Sequence, residues 1–261
     1  MLILKRLLDF YINSSVHVAL AMFCLSYVTV YSNGLCRHIT YPSCIFFGTI
    51  IGYNFLKYFE IVLRGNFSLS KHIGVLLVTI LALFGYFFFV IRMVDSIKIQ
   101  LFLSAAMVLV YPFFRKYGIV KMFWVSFVIA YLTAFVFVNE LPTFKGNVYL
   151  EFLKRFVFVS ALMIPFEIYD SQYDDKALNT LPQRFGLAKA KIIGYFLLLV
   201  FVVLEFVSCH VNNNFKAQNF VIAVVTAAAI RFSTLERSQY YSSFWVESIP
   251  VLWFVLLYIF Q

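Results

Sequence analysis

The stretch Ile73-Gly-Val-Leu-Leu-Val-Thr-Ile-Leu-Ala-Leu-Phe-Gly-Tyr-Phe-Phe-Phe-Val-Ile91 contains 19 residues and no charged side chain. A helix of that length crosses a hydrocarbon core of about 30 Å. Similar apolar runs recur from near residue 12 to the end of the sequence. The sequence therefore predicts an all-α polytopic membrane helix bundle that forms a single transmembrane domain over residues 1–261.

The composition excludes the common alternatives to a membrane protein. Of the 261 residues, 63% are hydrophobic and 13% are charged, against roughly 25% charged residues in a soluble domain. The formal net charge of +9 does not require a nucleic-acid partner, because Lys and Arg gather in the cytoplasmic loops of membrane proteins. We therefore expect no nucleic-acid binding. The four cysteines show no Cys-x-x-Cys spacing, so we expect neither a disulfide nor a metal role for them.

Charged and turn-forming residues divide the chain into about nine candidate membrane spans. They cover approximately 13–31, 42–63, 73–91, 97–114, 119–138, 149–169, 190–209, 217–231 and 247–260. Thirteen Lys and Arg residues then lie in loops on the N-terminal side and seven on the other. The excess of basic residues marks the cytoplasmic side. We therefore expect a cytoplasmic N-terminus and a C-terminus outside.

Four of the twelve acidic residues fall within nine positions, in Glu167-Ile-Tyr-Asp170-Ser-Gln-Tyr-Asp174-Asp175. If the sixth span continues as a helix, Glu167, Asp170 and Asp174 project from one face at the cytoplasmic boundary. Such a group of carboxylates suits Mg²⁺, which completes its shell with water and phosphate oxygens. The alternative is a solvated acidic loop whose local counter-charges are Lys176 and Arg184.

The acidic stretch resembles a motif of a known family. Glu167-x-x-Asp170-x-x-x-Asp174, followed by Asn179-Thr-Leu-Pro-Gln-Arg-Phe-Gly186, is similar to the second aspartate-rich motif and the Thr-Leu-Pro-x-x-x-Gly element of UbiA-type intramembrane prenyltransferases. Tyr111-Pro-Phe-Phe-Arg-Lys116 is similar to that family's Tyr-Pro followed by basic residues. The resemblance implies nine membrane helices and transfer of an isoprenyl group from its diphosphate to a lipophilic acceptor. It also implies Mg²⁺ between the diphosphate and two aspartate-rich motifs.

The first aspartate-rich motif of the family is degenerate in this sequence. Its place is taken by Tyr53-Asn-Phe-Leu-Lys-Tyr-Phe-Glu-Ile-Val62, in which Asn54 is kept and the aspartates are not. We therefore expect one Mg²⁺ ion rather than two. Lys57 either replaces the missing positive charge as a phosphate ligand or pairs with Glu60, Asp170 or Glu167. Asn54 either contributes to the site or forms a hydrogen bond between two helices.

The resemblance assigns candidate roles to eight positions. Asp170, Asp174 and Lys57 are the candidate catalytic residues; Asn54, Arg115, Lys116 and Arg184 are candidate substrate-binding residues; and Glu167, Asp170 and Asp174 are candidate metal ligands. The first hypothesis is a prenyltransferase acting at the cytoplasmic face of the membrane. The alternative is a non-catalytic protein of the same fold that binds an isoprenoid, a lipid or a membrane partner. A transporter is disfavoured, because the acidic residues cluster at one surface rather than near the midplane.

Overall fold

The computed structural model describes residues 2–32, 39–63, 65, 68–139, 147–208 and 213–259, and this part of the chain contains helices and no strand. The helices are α1 (Leu2–Asn13), α2 (Val16–Ser32), α3 (Thr40–Leu63), α4 (Leu69–Val90), α5 (Asp95–Phe114), α6 (Gly118–Ala130), α7 (Val136–Asn139), α8 (Val148–Leu162), α9 (Ile164–Asp170), α10 (Leu181–Phe185), α11 (Leu187–Val207), α12 (Asn213–Phe232) and α13 (Ile249–Ile259). Two π-helical segments, Tyr131–Phe135 and Tyr241–Val246, and a 3₁₀ turn, Lys176–Leu178, complete them.

One to three consecutive helical segments cover most of each of the nine predicted spans. Five described helices are by themselves long and apolar enough to cross a membrane: His72–Val90, Asp95–Phe114, Gly118–Asn139, Leu187–Val207 and Phe215–Phe232. A sixth span results if α1 and α2, which meet at an angle of 56°, are counted together. The all-α membrane fold is confirmed. The number of nine crossings stays a prediction, because polar residues and short lengths keep the other helices below that criterion.

Helix α1 was not predicted, because it is amphipathic and contains no long apolar run. Its side chains Ile3, Leu4 and Leu7 are exposed. On another face, Asp9 accepts a hydrogen bond from the hydroxyl of Tyr240, and this bond raises the pKa of that phenol. Helix α1 is therefore a separate element, bent by 56° from α2 and tied to the bundle through Tyr240.

The helices pack side by side, so their ends form two opposite ends of the bundle, which we call poles. Helix α8 packs against α6 and α11, α2 packs against α3 and α13, and α3 packs against α4. The end of α5, the start of α6, α9, α10 and the start of α11 lie at one end, which we call the acidic pole because it carries Glu167 and Asp174. The end of α6, the start of α8 and the end of α11 lie at the other end, which we call the distal pole.

The π-helical segment Tyr131–Phe135 follows α6 in the chain and is hydrogen-bonded to α2 and α3. A π-helical turn shifts the backbone hydrogen bonds out of the α register and leaves carbonyl groups available to side chains. The hydroxyl of Thr29 in α2 donates to the carbonyl of Thr133 at 2.7 Å, and the hydroxyl of Tyr41 in α3 donates to that of Leu132. The irregular segment is therefore held by two neighbouring helices and is not a frayed end.

Candidate functional site

The predicted acidic motif lies at a break in the sixth span. Helix α8 ends at Leu162, and α9 begins at Ile164 with Pro165 in its first turn. Proline is tolerated there because the first turn of a helix does not use its backbone N–H groups. The break places Glu167 in the interior, 2% exposed, while Asp170 ends the helix at the surface. The backbone N–H of Asp174 then bonds the carbonyl of Asp170 at 2.8 Å, which closes the turn that follows.

A lysine of another helix lies between two of these carboxylates. The Nζ atom of Lys121 is 2.6 Å from Oδ2 of Asp174 and 3.5 Å from Oε1 of Glu167. Lys121 is itself only 8% exposed, so its charge is poorly hydrated and depends on these acids. The remaining oxygen of Glu167, Oε2, is buried and has no hydrogen-bond partner among the described residues. The site therefore contains an internal ion pair and one unused buried acceptor.

Lys121 reaches the acids because α6 begins directly against the loop that follows α9. A Cβ atom on Gly118 would lie within 2.6 Å of the backbone nitrogen of Thr180, and closer still to the carbonyl oxygen of Leu178. Only glycine allows such an approach of two backbones. One turn later, Lys121 points to the acidic turn. Gly118 is thus a structural requirement of the site.

Gln183 holds the acidic turn from the other side. Its side-chain oxygen accepts the backbone N–H of Thr180 at 3.0 Å, which fixes the start of α10. Its amide nitrogen donates to the backbone carbonyl of Asp174 at 3.1 Å, and at longer distances to those of Ser171 and Asp175. The Thr-Leu-Pro-Gln element is therefore the support on which the Asp174 turn rests.

Among the predicted basic ligands, Arg115 is the one whose charge influences the pKa of Asp170. Burial raises the pKa of Asp170, and the positive charges of Lys121 and Arg115 counteract part of this shift. Lys116 and Arg184 are exposed, and the guanidinium of Arg184 lies over the ring of the next residue, 5.4 Å from its centroid. The structure therefore brings Lys121 into direct contact with the acids, and Arg115, Lys116 and Arg184 are exposed side chains at the same pole.

Asn54 and Lys57 have other partners in the described part of the chain. The side-chain nitrogen of Asn54 donates to Oγ1 of Thr79 in α4 at 2.8 Å, which is the hydrogen bond between helices that the sequence left open. Lys57 donates to the carbonyl of Ile12 at 3.1 Å, and the nearby carboxylate whose charge acts on it is Glu247. Glu60, a predicted partner of Lys57, has its side chain outside the described residues.

The described residues contain no group of three His, Cys, Asp or Glu side chains close enough together to hold a metal ion. The chemistry of the donor set nevertheless suits Mg²⁺, since Glu167, Asp170 and Asp174 offer carboxylate oxygens, and Oε2 of Glu167 is an unused acceptor. The obstacle is the ammonium of Lys121, which lies where an ion shared by Glu167 and Asp174 would have to bind. Glu167 and Asp174 could therefore share a metal ion only after Lys121 has turned away.

Sequence analysis missed Lys121 and Gln183 as members of the site. Lys121 was counted among the loop charges, although it lies in the first turn of a predicted span. A lysine within an otherwise apolar helix is costly to bury and by default marks a functional position. That signal was available in the sequence. No comparable signal identified Gln183, whose role depends on a turn that only the structure reveals.

A second polar cluster, also missed, lies at the distal pole. Lys154 bridges Glu151 at 2.6 Å and Glu205 of α11 at 3.2 Å, and all three are largely buried. The neighbouring Arg155 donates to Oγ1 of Thr29 at 2.9 Å. Glu151, Lys154, Arg155 and Glu205 line part of a small cavity of about 20 Å³. Since α8 and α11 supply opposite charges, the cluster ties the two helices together.

Comparison with known proteins identifies the fold. No protein-family model matches the sequence, and no curated protein shows a significant sequence match. By structure, the chain is similar to a UbiA homologue from Archaeoglobus fulgidus bound to GPP and Mg²⁺, with a TM-score of 0.62 and 15% identity over 96% of this chain and 99% of that one. A second structure of a UbiA homologue from the same organism gives 0.59 and 15% over 96% and 98%. A structure from work on digeranylgeranylglyceryl phosphate synthase in membranes gives 0.58 and 14%, covering 98% of both chains.

Proposed function

We propose, on the premise that this chain has the fold of UbiA homologues, that its acidic pole binds an isoprenyl diphosphate for transfer of the isoprenyl group to a lipophilic acceptor. The observation that carries the proposal is the convergence of Glu167, Asp174 and Lys121 at the end of α9. Glu167 and Asp174 belong to the motif that resembles the family's second aspartate-rich motif. The fold neighbour bound to GPP and Mg²⁺ supports the same class of ligand.

The proposed chemistry requires positive charge near the leaving group. As the bond between C1 and the bridging oxygen breaks, its electron pair leaves with the diphosphate, and the acceptor forms the new bond to C1. In this proposal Arg115 and Lys121 stabilise the leaving group, because developing negative charge is best met by pre-positioned cations. The released diphosphate takes up the proton that the acceptor loses.

The proposal includes one Mg²⁺ ion rather than two. Glu167, Asp170 and Asp174 would hold a single ion, which supplies charge to neutralise the diphosphate. Since Asn54 bonds Thr79, and Phe55, Tyr58 and Val62 stand where the family has aspartates, a second ion has no evident ligands in the described residues. The predicted single ion therefore remains part of the proposal.

A non-catalytic role is the second candidate, and the ion pair of Lys121 favours it. Lys121 gives the acidic pole a positive charge of its own, so Glu167 and Asp174 have a partner without metal or substrate. In that case the protein binds an isoprenoid or lipid, or a membrane partner, without turnover.

The deciding experiment measures pyrophosphate release from geranyl and longer allylic diphosphates, with Mg²⁺ and lipid extract as the source of acceptor. The proposal expects release that Asp174→Asn abolishes. Asp95→Asn is the matched control, because Asp95 pairs with Lys98 at the exposed far end of α5. Binding of geranyl thiolodiphosphate, which resists cleavage, is measured in parallel. Binding without release identifies the non-catalytic role, and the absence of both contradicts either form of the proposal.

A further inference from the structure

Lys121 and a divalent cation compete for the same space at the acidic pole. The Nζ atom lies 2.6 Å from Asp174 and 3.5 Å from Glu167. A Mg²⁺ ion binds carboxylate oxygens at about 2.0–2.1 Å. An ion shared by these two residues would therefore occupy the position of the ammonium group. Either Lys121 or the metal can be present between the two acids, but not both.

Removing Lys121 from its acids in an empty site is unfavourable. The side chain is 8% exposed, and a poorly hydrated ammonium separated from its carboxylates loses its compensation. A diphosphate changes this balance, because its oxygens are strong acceptors for the N–H groups of lysine. With a diphosphate present, Lys121 can exchange carboxylate partners for phosphate partners at little cost.

We propose that Lys121 balances the charges of Glu167 and Asp174 when no ligand is bound, and that a divalent cation displaces it only when a diphosphate binds. After the exchange, the ammonium binds a phosphate oxygen. Metal and diphosphate then bind with positive coupling, and by thermodynamic reciprocity each strengthens the other by the same factor. The exchange of partners rests on the proposed binding of isoprenyl diphosphate, whereas the exclusion of metal from the empty site does not.

The test is a Mn²⁺ titration of the full chain in lipid nanodiscs, read by electron paramagnetic resonance of the free ion. Mn²⁺ replaces Mg²⁺ because it accepts the same oxygen ligands. For the parent protein we expect Mn²⁺ to bind about tenfold or more tightly with geranyl thiolodiphosphate than without it, within the usual range of such couplings. Lys121→Met should bind Mn²⁺ alone about tenfold more tightly than the parent does, and the ligand should then add little.

Three further variants separate charge from packing. Lys121→Gln keeps a hydrogen-bond donor and removes the charge, so it should behave as Lys121→Met does. Lys121→Arg keeps the charge and should resemble the parent. Lys98→Met removes an exposed lysine at the far end of α5 and should leave every Mn²⁺ affinity unchanged.

The outcomes distinguish this inference from the proposed function. If Lys121→Met and Lys121→Gln bind Mn²⁺ alone no more tightly than the parent does, the inference is overturned, whatever effect the ligand has. If Lys121→Met and Lys121→Gln bind Mn²⁺ more tightly but the thiolodiphosphate has no effect on any protein, metal exclusion by Lys121 stands and the diphosphate proposal fails.

Discussion

Lys57 donates a hydrogen bond from Nζ to the backbone carbonyl oxygen of Ile12, 3.1 Å away, and so connects α3 to the last turn of α1. The next residue, Tyr58, donates from its hydroxyl to the carbonyl of Asn13 at 3.3 Å. A positive charge near the C-terminal end of a helix is favourable, because the unpaired carbonyl groups there carry partial negative charge. In this arrangement Lys57 anchors α1.

Replacing Lys57 by Met should loosen α1 and leave diphosphate binding unchanged. Loss of a hydrogen bond from a charged donor costs about 1.5–3 kcal/mol. Hydrogen exchange of residues 2–13 should therefore speed up, while the affinity for geranyl thiolodiphosphate stays within experimental error. Lys98→Met is the control. The opposite pattern, weaker ligand binding with α1 fully protected, would establish Lys57 as the phosphate ligand that the sequence suggested.

Gly118→Ala should damage the acidic pole. The added methyl group would collide with the backbone at Leu178 and Thr180, which cannot move as a flexible side chain does. Overpacking of this kind costs about 1–3 kcal/mol, and displacement of the loop should also separate Lys121 from Asp174. Thermal unfolding and ligand binding are the measurements. Gly52→Ala is the matched control, since its Cβ would meet only a side-chain atom at 3.7 Å; equal effects of both variants would refute the account.

Gln183→Met should weaken ligand binding more than it weakens the fold. The variant retains the length of the side chain but loses the amide that holds the carbonyl of Asp174. A lost hydrogen bond of this type costs about 1 kcal/mol. We expect a small decrease in melting temperature and a clear loss of affinity, because Asp174 is no longer positioned. Gln172→Met, in the same turn but exposed, tests whether any apolar substitution there has the same effect.

Lys154→Met should be the most destabilising of these substitutions. It leaves Glu205 and Glu151 without their partner at the distal pole, and breaking a buried ion pair costs about 3–5 kcal/mol. Adding Glu205→Gln should recover part of the loss, because the buried carboxylate is then uncharged. Lys189→Met, on the exposed face of α11, serves as control. If the double variant is no more stable than Lys154→Met, the ion pair does not account for the loss.

Reporter insertion tests the predicted orientation. Insertions after Arg115 and Arg184 should read cytoplasmic, and an insertion after Arg92 should read outside, because thirteen Lys and Arg residues lie in or beside the loops of the first side against seven on the other. The same reading at all three positions would refute the predicted arrangement of α4 and α5.

The spans could be predicted from the sequence because the bilayer imposes a minimum apolar length, as in Ile73–Ile91. Helix α1 could not be predicted in this way, because an amphipathic helix contains no long apolar run. The π-helical segment Tyr131–Phe135 could not be predicted either, since Thr29 and Tyr41, which bond its carbonyl groups, lie in distant parts of the chain.

The acidic half of the site could be predicted because Glu167, Asp170 and Asp174 are close in sequence. Its basic half could not, because Lys121 precedes Asp174 by 53 positions and only the contact of Gly118 with the loop after α9 brings them together. A motif written along the chain records which residues are adjacent in sequence. It does not record an ion pair between two helices.

The distal cluster has a consequence for how the protein enters the membrane. Near that pole α8 carries Lys154 and Arg155 against Glu151, a net charge of +1, whereas α11 carries Glu205. Helix α8 is not among the helices that are apolar enough to cross alone. During synthesis it reaches the bilayer before Glu205 has been made, so its excess charge is unmatched until α11 follows. We therefore expect α8 to become stable in the membrane only once α11 is present, because Glu205 then pairs with Lys154.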